Sequence, residues 1–200
     1  MRLFVALNLP EPEKRRLWAA TASLRASGAD IRWTPVESIH LTLRFLGEVG
    51  EADVDRLRGR LERIAAVHPP FALRIGGVGG FPTLRRARVW WLGIEPVPAL
   101  GALQTDVESA MADEGFRPED RPFAAHLTIG RAARGARPVP AATAEQLAAG
   151  IDFTATWPIE TLDLMRSHLR RDGARYEAIA RSPLGATVMH APDHARERDE

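Results

Sequence analysis

The sequence predicts an α+β fold in which mainly antiparallel sheets are flanked by helices, and three observations support this. The chain has 200 residues, of which 45% are hydrophobic, so it can bury a sizeable core. Predicted strands and helices mix without strict alternation, which favours antiparallel over parallel sheet. The segment His40-Leu41-Thr42-Leu43 also recurs as His126-Leu127-Thr128-Ile129, and each copy is predicted to be a strand followed, after a loop, by a helix. The repeat indicates two lobes that face each other and bring these segments together.

In the first half of the chain, apolar periodicity and turn residues predict two strands and two helices. Pro12 suits the first turn of a helix and Gly28 can end it. The second helix places apolar residues on one face at helical spacing and has acidic residues at its amino-terminal end. The predicted strands cover 2–9 and 39–47, and the predicted helices cover 11–26 and 51–67.

The second half is predicted by the same signals. A Gly-rich and Arg-rich loop is expected over 76–86, and a turn containing Asp172-Gly173 is expected to join the last two strands. Periodicity ends after Leu184, so we expect a single bilobal domain over 1–184 and a disordered tail over 185–200. The predicted strands cover 71–78, 88–94, 124–131, 153–168 and 174–181, and the predicted helices cover 98–114 and 143–149.

Composition excludes several classes of protein. The chain has no cysteine, which rules out disulfide frameworks, thiolate zinc sites and cysteine nucleophiles. The formal charge of +1 means that any contact with nucleic acid must be a local patch. Lys14 is the only lysine, and this preference for arginine suits phosphate binding but is equally explained by a GC-rich genome. Because the sequence has neither a signal peptide nor a long apolar run, we expect a cytoplasmic protein without membrane contact. We also expect a monomer, although these signals do not bear on the oligomeric state.

The two repeated segments are the strongest candidates for a functional site. Residues i and i+2 of a strand share a face, so His40 and Thr42 point one way and Leu41 the other. The same holds for His126 and Thr128 in the second copy. The aliphatic faces suit a core, which leaves the His and Thr faces for a polar cleft between the lobes. A single His on a strand is commonly structural, but a matched pair of motifs is hard to explain in that way.

Two histidines across a cleft suit acid–base chemistry on a phosphate ester. An unperturbed imidazole has a pKa of about 6.5, so at neutral pH one ring can be neutral and the other protonated. One ring could take a proton from an attacking hydroxyl while the other gives a proton to a leaving oxygen. The threonine hydroxyls can donate hydrogen bonds to phosphoryl oxygens. No cofactor or metal is required, and two histidines alone make a poor zinc site.

The chain resembles the 2H phosphoesterase superfamily, and within it the RNA 2′,3′-cyclic phosphodiesterases, which are also named 2′–5′ RNA ligases. The resemblance covers residues 1–182 in one register. It rests on both His-x-Thr motifs and on these further segments: Arg2-Leu3-Phe4-Val5-Ala6, Arg32-Trp33-Thr34-Pro35, Arg44-Phe45-Leu46-Gly47, Arg88-Val89-Trp90-Trp91-Leu92-Gly93, Gly130-Arg131 and the hairpin from Leu169 to Tyr176.

The resemblance implies a bilobal fold with pseudo-twofold symmetry and hydrolysis of a ribose 2′,3′-cyclic phosphate, at the end of an RNA or a nucleotide, to a 2′-phosphate. It implies that His40 donates a proton to the leaving 3′ oxygen and that His126 activates water. Thr42 and Thr128 would hold the phosphate, and Arg131 would supply positive charge. The family usually has proline before the second motif, where this chain has Ala125.

Two alternatives stay open: the reverse reaction, which joins RNA ends as a 2′–5′ linkage, and a catalytically silent RNA-binding or nucleotide-binding module. Phe45 could line the cleft and stack on a base, although strict alternation from Leu41 places it on the core face. Of Trp90 and Trp91, at least one should be core. Arg85, Arg86 and Arg88 could guide an RNA backbone or simply be solvated. We assign no role to Arg134, Arg137, His68, His168, His190 or His194.

Overall fold

A computed structural model of the chain describes residues 1–133, 135–136, 139–170 and 173–186. Asp172 of the predicted turn, positions Arg134 and Arg137, and 187–200 of the predicted tail lie outside the described residues. The strands are Arg2–Asn8 (β1), Ile31–Trp33 (β2), His40–Glu48 (β3), Phe71–Phe81 (β4), Val89–Ile94 (β5), His126–Ala132 (β6), Ala155–Ile159 (β7), Thr161–Arg170 (β8) and Gly173–Pro183 (β9). The α-helices are Glu11–Ala20 (α1), Ala22–Ala26 (α2), Val54–Val67 (α3), Pro98–Asp113 (α4) and Ala141–Ala149 (α5).

The strands form two sheets whose pairings are all antiparallel, which confirms the predicted fold class. Sheet one has the order β3-β1-β8-β9, and sheet two has the order β2-β6-β5-β4-β7. Counted outward from the strands that carry the His-x-Thr motifs, β3-β1-β8-β9 corresponds to β6-β5-β4-β7. This correspondence is the predicted pseudo-twofold relation, with β2 as an additional strand beside β6.

The helices cover one side of the sheets and leave the other for a cleft. Helix α3 packs against β8 and β9, α4 against β3, and α5 against β4. Most buried apolar residues of both sheets, such as Val5 and Leu41 in sheet one and Trp90 and Leu127 in sheet two, belong to one continuous core, and a second, smaller cluster in sheet one consists of Phe4, Ala6 and Met165. Helix α4 ends at Asp113, and Gly115, two residues later, has a φ of 89° that allows the left-handed turn that stops it.

Three element boundaries differ from the prediction. The predicted helix 11–26 is divided at Thr21, whose hydroxyl donates to the carbonyl oxygen of Leu17, four residues earlier, and such bonding bends helices. The predicted loop 76–86 begins later, because β4 continues to Phe81. The segment 153–168 was predicted as one strand, but it forms β7 in sheet two and β8 in sheet one, separated at Glu160.

Candidate active site

The two motif strands lie next to each other where the sheets meet. Strand β3 is the edge strand of sheet one, and it contacts β6 of sheet two. Leu41 and Leu127 are fully buried, whereas the histidine and threonine of each motif are only partly buried. The predicted division of each motif into a core face and a polar face is therefore confirmed.

The His40 ring is held at both of its nitrogens. Its Nδ1 lies 2.8 Å from the carbonyl oxygen of Ser38, and its Nε2 lies 3.0 Å from Oγ1 of Thr42. A carbonyl oxygen can only accept, so Nδ1 carries the proton in the neutral ring. Nε2 then accepts a hydrogen bond from the Thr42 hydroxyl. Nε2 of His40, which carries the lone pair, therefore lies beside the Thr42 hydroxyl on the same face of β3.

The His126 ring makes the same contact through Nδ1 as the His40 ring does. Its Nδ1 lies 2.7 Å from the carbonyl oxygen of Ala124, again two residues earlier in the chain. The same reasoning puts the proton on Nδ1 and the lone pair on Nε2. Ala125, where the family usually has proline, does not prevent this contact. Both histidines thus present Nε2 for proton transfer.

Aromatic rings pack against each histidine. Phe4 lies 4.8 Å and Tyr176 lies 5.0 Å from His40 between ring centroids, with Tyr176 edge-on. Phe81 lies 5.0 Å from His126, also edge-on, and Trp91 lies at 6.3 Å. Sequence reasoning gave none of these four rings a place beside a histidine, because they come from other strands and no local pattern signals such contacts. They restrict the orientation of the imidazoles and lower the polarity around them.

Burial lowers the pKa of both histidines. For His40 burial lowers the pKa to about 4, and the positive charges of Lys14, His126 and Arg131 act in the same direction, against the hydrogen bond to Ser38. For His126 burial is again the largest cause, Arg131 adds to it, and the bond to Ala124 opposes it. In the unliganded protein these shifts favour the neutral form of each ring, whereas the sequence led us to expect one protonated ring at neutral pH.

A β-bulge in each motif strand moves the next candidate residue onto the cleft face. On β3, Thr42 pairs with Ala6 and Arg44 with Val5, so Leu43 is an extra residue. The bulge turns Arg44 into the core, where it is buried, and turns Phe45 outward, where it is 56% exposed. The alternation that placed Phe45 on the core face is wrong for this reason. Phe45 shares the face of His40 and Thr42.

The second motif has the same irregularity. On β6, Thr128 pairs with Trp91 and Gly130 with Trp90, so Ile129 is the extra residue. Arg131 then shares a face with His126 and Thr128 and is exposed. In both motifs the residue five positions after the histidine joins the cleft face, as Phe45 in one and Arg131 in the other.

The remaining candidates lie apart from this arrangement. Trp90 is fully buried, as at least one of the two tryptophans was predicted to be. Arg85 donates to Glu145 at 2.8 Å, so it is paired with α5. His68 pairs with Asp106 at 2.7 Å, and His168 pairs with Glu177 at 3.0 Å. His190 and His194 lie outside the described residues.

Within the described ranges, no group of three or more His, Asp or Glu residues is placed to hold a metal ion. No helix in this part of the chain is long and apolar enough to cross a membrane.

Two facing lobes that each contribute a His-x-Thr strand to one cleft define the architecture of the 2H phosphoesterases. The chain belongs to the 2′-5′ RNA ligase superfamily, whose family profile matches residues 13–171.

Relatives and solved structures agree with this assignment. The RNA 2′,3′-cyclic phosphodiesterase of Thermus thermophilus is 32% identical over 205 residues, which cover 99% of this chain and 94% of the relative. The crystal structure of TT0787 from Thermus thermophilus matches with a TM-score of 0.75 and 28% identity, over 92% of this chain and 98% of that one. The structure of E. coli LigT complexed with 3′-AMP matches over the same shares, with a TM-score of 0.72 and 28% identity.

Proposed function

We propose that the protein is an RNA 2′,3′-cyclic phosphodiesterase, which hydrolyses the cyclic phosphate at the end of an RNA or a nucleotide to a 2′-phosphate. The observation that carries this proposal is the pair of imidazoles on neighbouring strands, each with Nδ1 bound to a carbonyl oxygen and therefore with its lone pair on Nε2. The names of the relatives, RNA 2′,3′-cyclic phosphodiesterase, support the substrate class. We also propose that it acts as a monomer, since one chain supplies both histidines, and separately that it is located in the cytoplasm.

In the proposed reaction His126 is the base and His40 is the acid. Nε2 of neutral His126 accepts a proton from water as the water oxygen bonds to phosphorus. Nε2–H of protonated His40 donates its proton to the 3′ oxygen as the bond between phosphorus and that oxygen breaks. The product keeps its phosphate on the 2′ oxygen. Each proton transfer is worth about 10²–10⁴-fold in rate.

The threonines and Arg131 would bind the phosphoryl group. When His40 is protonated, its Nε2 no longer accepts from Thr42, so the Thr42 hydroxyl can turn and donate to a phosphoryl oxygen. Thr128 lies at the equivalent position in the second motif. The charge of Arg131 acts on both histidines, which supports a guanidinium directed toward the reacting phosphate.

Substrate binding would produce the protonated histidine that the reaction requires. Burial lowers the pKa of each histidine and so favours the neutral form of both rings in the free protein. A bound phosphate anion favours a neighbouring imidazolium and so raises its pKa. Binding would therefore take up one proton and prepare the acid.

A second reaction uses the same residues. If the 5′-hydroxyl of an RNA replaces water, proton transfer to His126 and from His40 forms a 2′–5′ linkage, and the name of the superfamily favours this candidate. A silent binding module would have no use for two matched imidazoles, so we do not favour it.

The proposed function is tested with adenosine 2′,3′-cyclic phosphate, with and without EDTA, and by identification of the product by chromatography. We expect 2′-AMP as the product and turnover that survives the chelator. Formation of 3′-AMP would contradict the assigned leaving group. Binding without turnover would indicate the silent module, and turnover abolished by EDTA would contradict the metal-independent mechanism.

A further inference from the structure

Two arginines lie side by side on neighbouring strands of sheet two. Arg32 on β2 is the direct partner of Arg131 on β6 in the antiparallel register. Directly opposed residues place their Cβ atoms about 4.5–5.5 Å apart on one face of the sheet. Both side chains are exposed. The two arginine side chains therefore project from the same patch of the protein surface.

This patch belongs to the cleft face. The bulge at Ile129 puts Arg131 on the face of His126 and Thr128, and the register carries Arg32 to the same face. The neighbours of Arg32 on β2, Ile31 and Trp33, point to the opposite face.

Gly130 fixes β2 in this register. A Cβ at Gly130 would lie 2.7 Å from Cγ2 of Ile31 and 2.9 Å from Cε3 of Trp33, so both side chains rest directly on the glycine backbone. A three-residue strand is thereby anchored to β6. The position of Arg32 beside Arg131 is therefore fixed by the packing of Ile31 and Trp33 on Gly130.

The pair is electrostatically unfavourable without a ligand. Like charges directly opposite each other across two strands destabilise a sheet. Among the described residues, neither guanidinium has a carboxylate within ion-pair distance, although other exposed arginines do, such as Arg16 with Glu13 and Arg85 with Glu145. A bound anion between Arg32 and Arg131 would remove this repulsion. Arginine suits the purpose because its planar fork binds phosphate oxygens in pairs.

Arg32 lies farther from the reaction than Arg131 does. Arg131 lies on β6, the strand that carries His126 and Thr128, whereas Arg32 lies on β2, the next strand of the sheet. The row from His126 through Thr128 and Arg131 to Arg32 thus leads outward along the cleft. A phosphate at Arg32 would be a different phosphate from the one that reacts.

We infer that Arg32, beside Arg131 and the reacting phosphate, forms a second phosphate-binding position, which takes the phosphodiester group immediately 5′ of the nucleoside that carries the cyclic phosphate. This inference rests on the proposed function. A cyclic mononucleotide with a free 5′-hydroxyl lacks that group, and an RNA end has it. The site therefore selects polynucleotide ends over mononucleotides.

The inference is tested by comparing kcat/KM for adenosine 2′,3′-cyclic phosphate with kcat/KM for the dinucleotide ApA that ends in a 2′,3′-cyclic phosphate. We expect the wild type to prefer the dinucleotide, and Arg32→Gln to reduce that preference about 10-fold, since a hydrogen bond to a charged group is lost. Arg32→Lys keeps the positive charge but lacks the planar guanidinium, so its preference for the dinucleotide should lie between those of the wild type and Arg32→Gln. The matched control is Arg63→Gln, an exposed arginine on α3, which should keep the wild-type preference.

Binding is measured separately from turnover by calorimetry, with 2′-AMP and with ApA that carries a 2′-phosphate. The wild type should bind the dinucleotide more tightly than 2′-AMP, and this difference in affinity should be smaller in Arg32→Gln. The affinity of Arg32→Gln for the dinucleotide should also decrease less steeply with salt than that of the wild type. An equal preference in the wild type, or an unchanged preference in Arg32→Gln, would overturn the second phosphate position. Absence of turnover with both substrates would refute the proposed function instead, and the binding ratio would still decide the role of Arg32.

Discussion

His40 and His126 hold their imidazole rings by the same contact, because each donates its Nδ1–H to the carbonyl oxygen two residues earlier in the chain. The acceptors are Ser38 at 2.8 Å and Ala124 at 2.7 Å. A neutral ring held in this way keeps its lone pair on Nε2. The two motifs therefore present the equivalent nitrogen, and in His40 this nitrogen also accepts a hydrogen bond from Thr42 at 3.0 Å.

Removal of either ring should remove one proton transfer. We expect His40→Ala and His126→Ala each to lower kcat by at least about 100-fold, measured as initial rates on adenosine 2′,3′-cyclic phosphate, while thermal unfolding stays cooperative. His168→Ala is the matched control, because this partly exposed histidine pairs with Glu177 and takes no part in the site. A near-normal rate in either motif variant would exclude that residue from the mechanism.

The pH dependence should differ between kcat/KM and kcat. Catalysis needs one protonated and one neutral ring, and burial lowers the pKa of His40 to about 4 and the pKa of His126 below its ordinary value of 6.5. Above both values the singly protonated fraction falls about tenfold per pH unit, so kcat/KM, which reports the free enzyme, should be highest below about pH 6.5 and decline toward pH 8.

Bound phosphate raises the pKa of the acid, so the optimum of kcat should lie at higher pH than that of kcat/KM. Both profiles are measured at constant ionic strength with saturating and limiting substrate. A kcat/KM that is flat or rises from about pH 6.5 to 8 would contradict the lowered pKa values in the free protein.

Phe45 should bind substrate without supporting the fold. Its ring is 56% exposed on the cleft face and lines a surface pocket with Phe116 and Arg117. Stacking of one base on an aromatic ring is worth about 1–3 kcal/mol, so Phe45→Ala should raise KM about 10-fold, and Phe45→Trp should not. Urea unfolding should change little. Val67→Ala, which removes another large exposed apolar side chain, is the control and should leave KM unaltered.

Gly79 leaves the space in which the Trp91 ring lies. A Cβ at Gly79 would overlap the Trp91 indole, which contacts Phe81 at 5.3 Å, and Phe81 in turn packs against His126. We expect Gly79→Ala to shift Trp91, lower stability by about 1–3 kcal/mol and lower kcat. Gly101→Ala is the opposite case, since nothing lies within 4 Å on that exposed position of α4, and it should stabilise by about 0.5–1 kcal/mol.

These two variants are compared by urea unfolding, tryptophan fluorescence and turnover. Equal stability of Gly79→Ala and the wild type would show that the sheet accommodates the methyl group, and would remove this explanation of the Gly-rich segment in β4.

The sequence predicts the face of each motif as far as its fourth residue and fails at the next. Period-two alternation holds from His40 to Leu43, and it then breaks because Leu43 is an extra residue opposite β1. A bulge depends on pairing between distant strands, and no local signal marks it. The assignment of Arg131 comes from family resemblance rather than from alternation and stays a prediction, and the bulge at Ile129 puts this residue on the face of His126.

The missed elements have the same cause. Strand β2 has three residues, too few to show a period, and the register with β6 defines it. Strands β7 and β8 both continue an apolar pattern, so the change of sheet at Glu160 follows from their partners and not from their own residues. The aromatic rings beside His40 come from β1 and β9, at opposite ends of the chain.

The bulge that exposes Phe45 should depend on Arg44. The Arg44 side chain is 2% exposed, and its Nε lies 3.1 Å from Glu108 while Nη1 lies 3.2 Å from Glu119. Nη2 donates to the carbonyl oxygen of Arg117, so one guanidinium joins β3 to α4 and to the segment that follows it.

Removal of one partner of a buried ion pair leaves the other charge uncompensated and costs about 3–5 kcal/mol. Because both carboxylates are partly solvated, we expect Arg44→Met to cost about 2–3 kcal/mol in urea unfolding and also to raise KM, since Phe45 loses its support. Arg60→Met is the control, because Arg60 pairs with Asp113 at 2.7 Å on an exposed surface, and it should cost less than about 1 kcal/mol. Similar losses in the two variants would show that the buried network does not hold β3, and an unchanged KM would separate Arg44 from the position of Phe45.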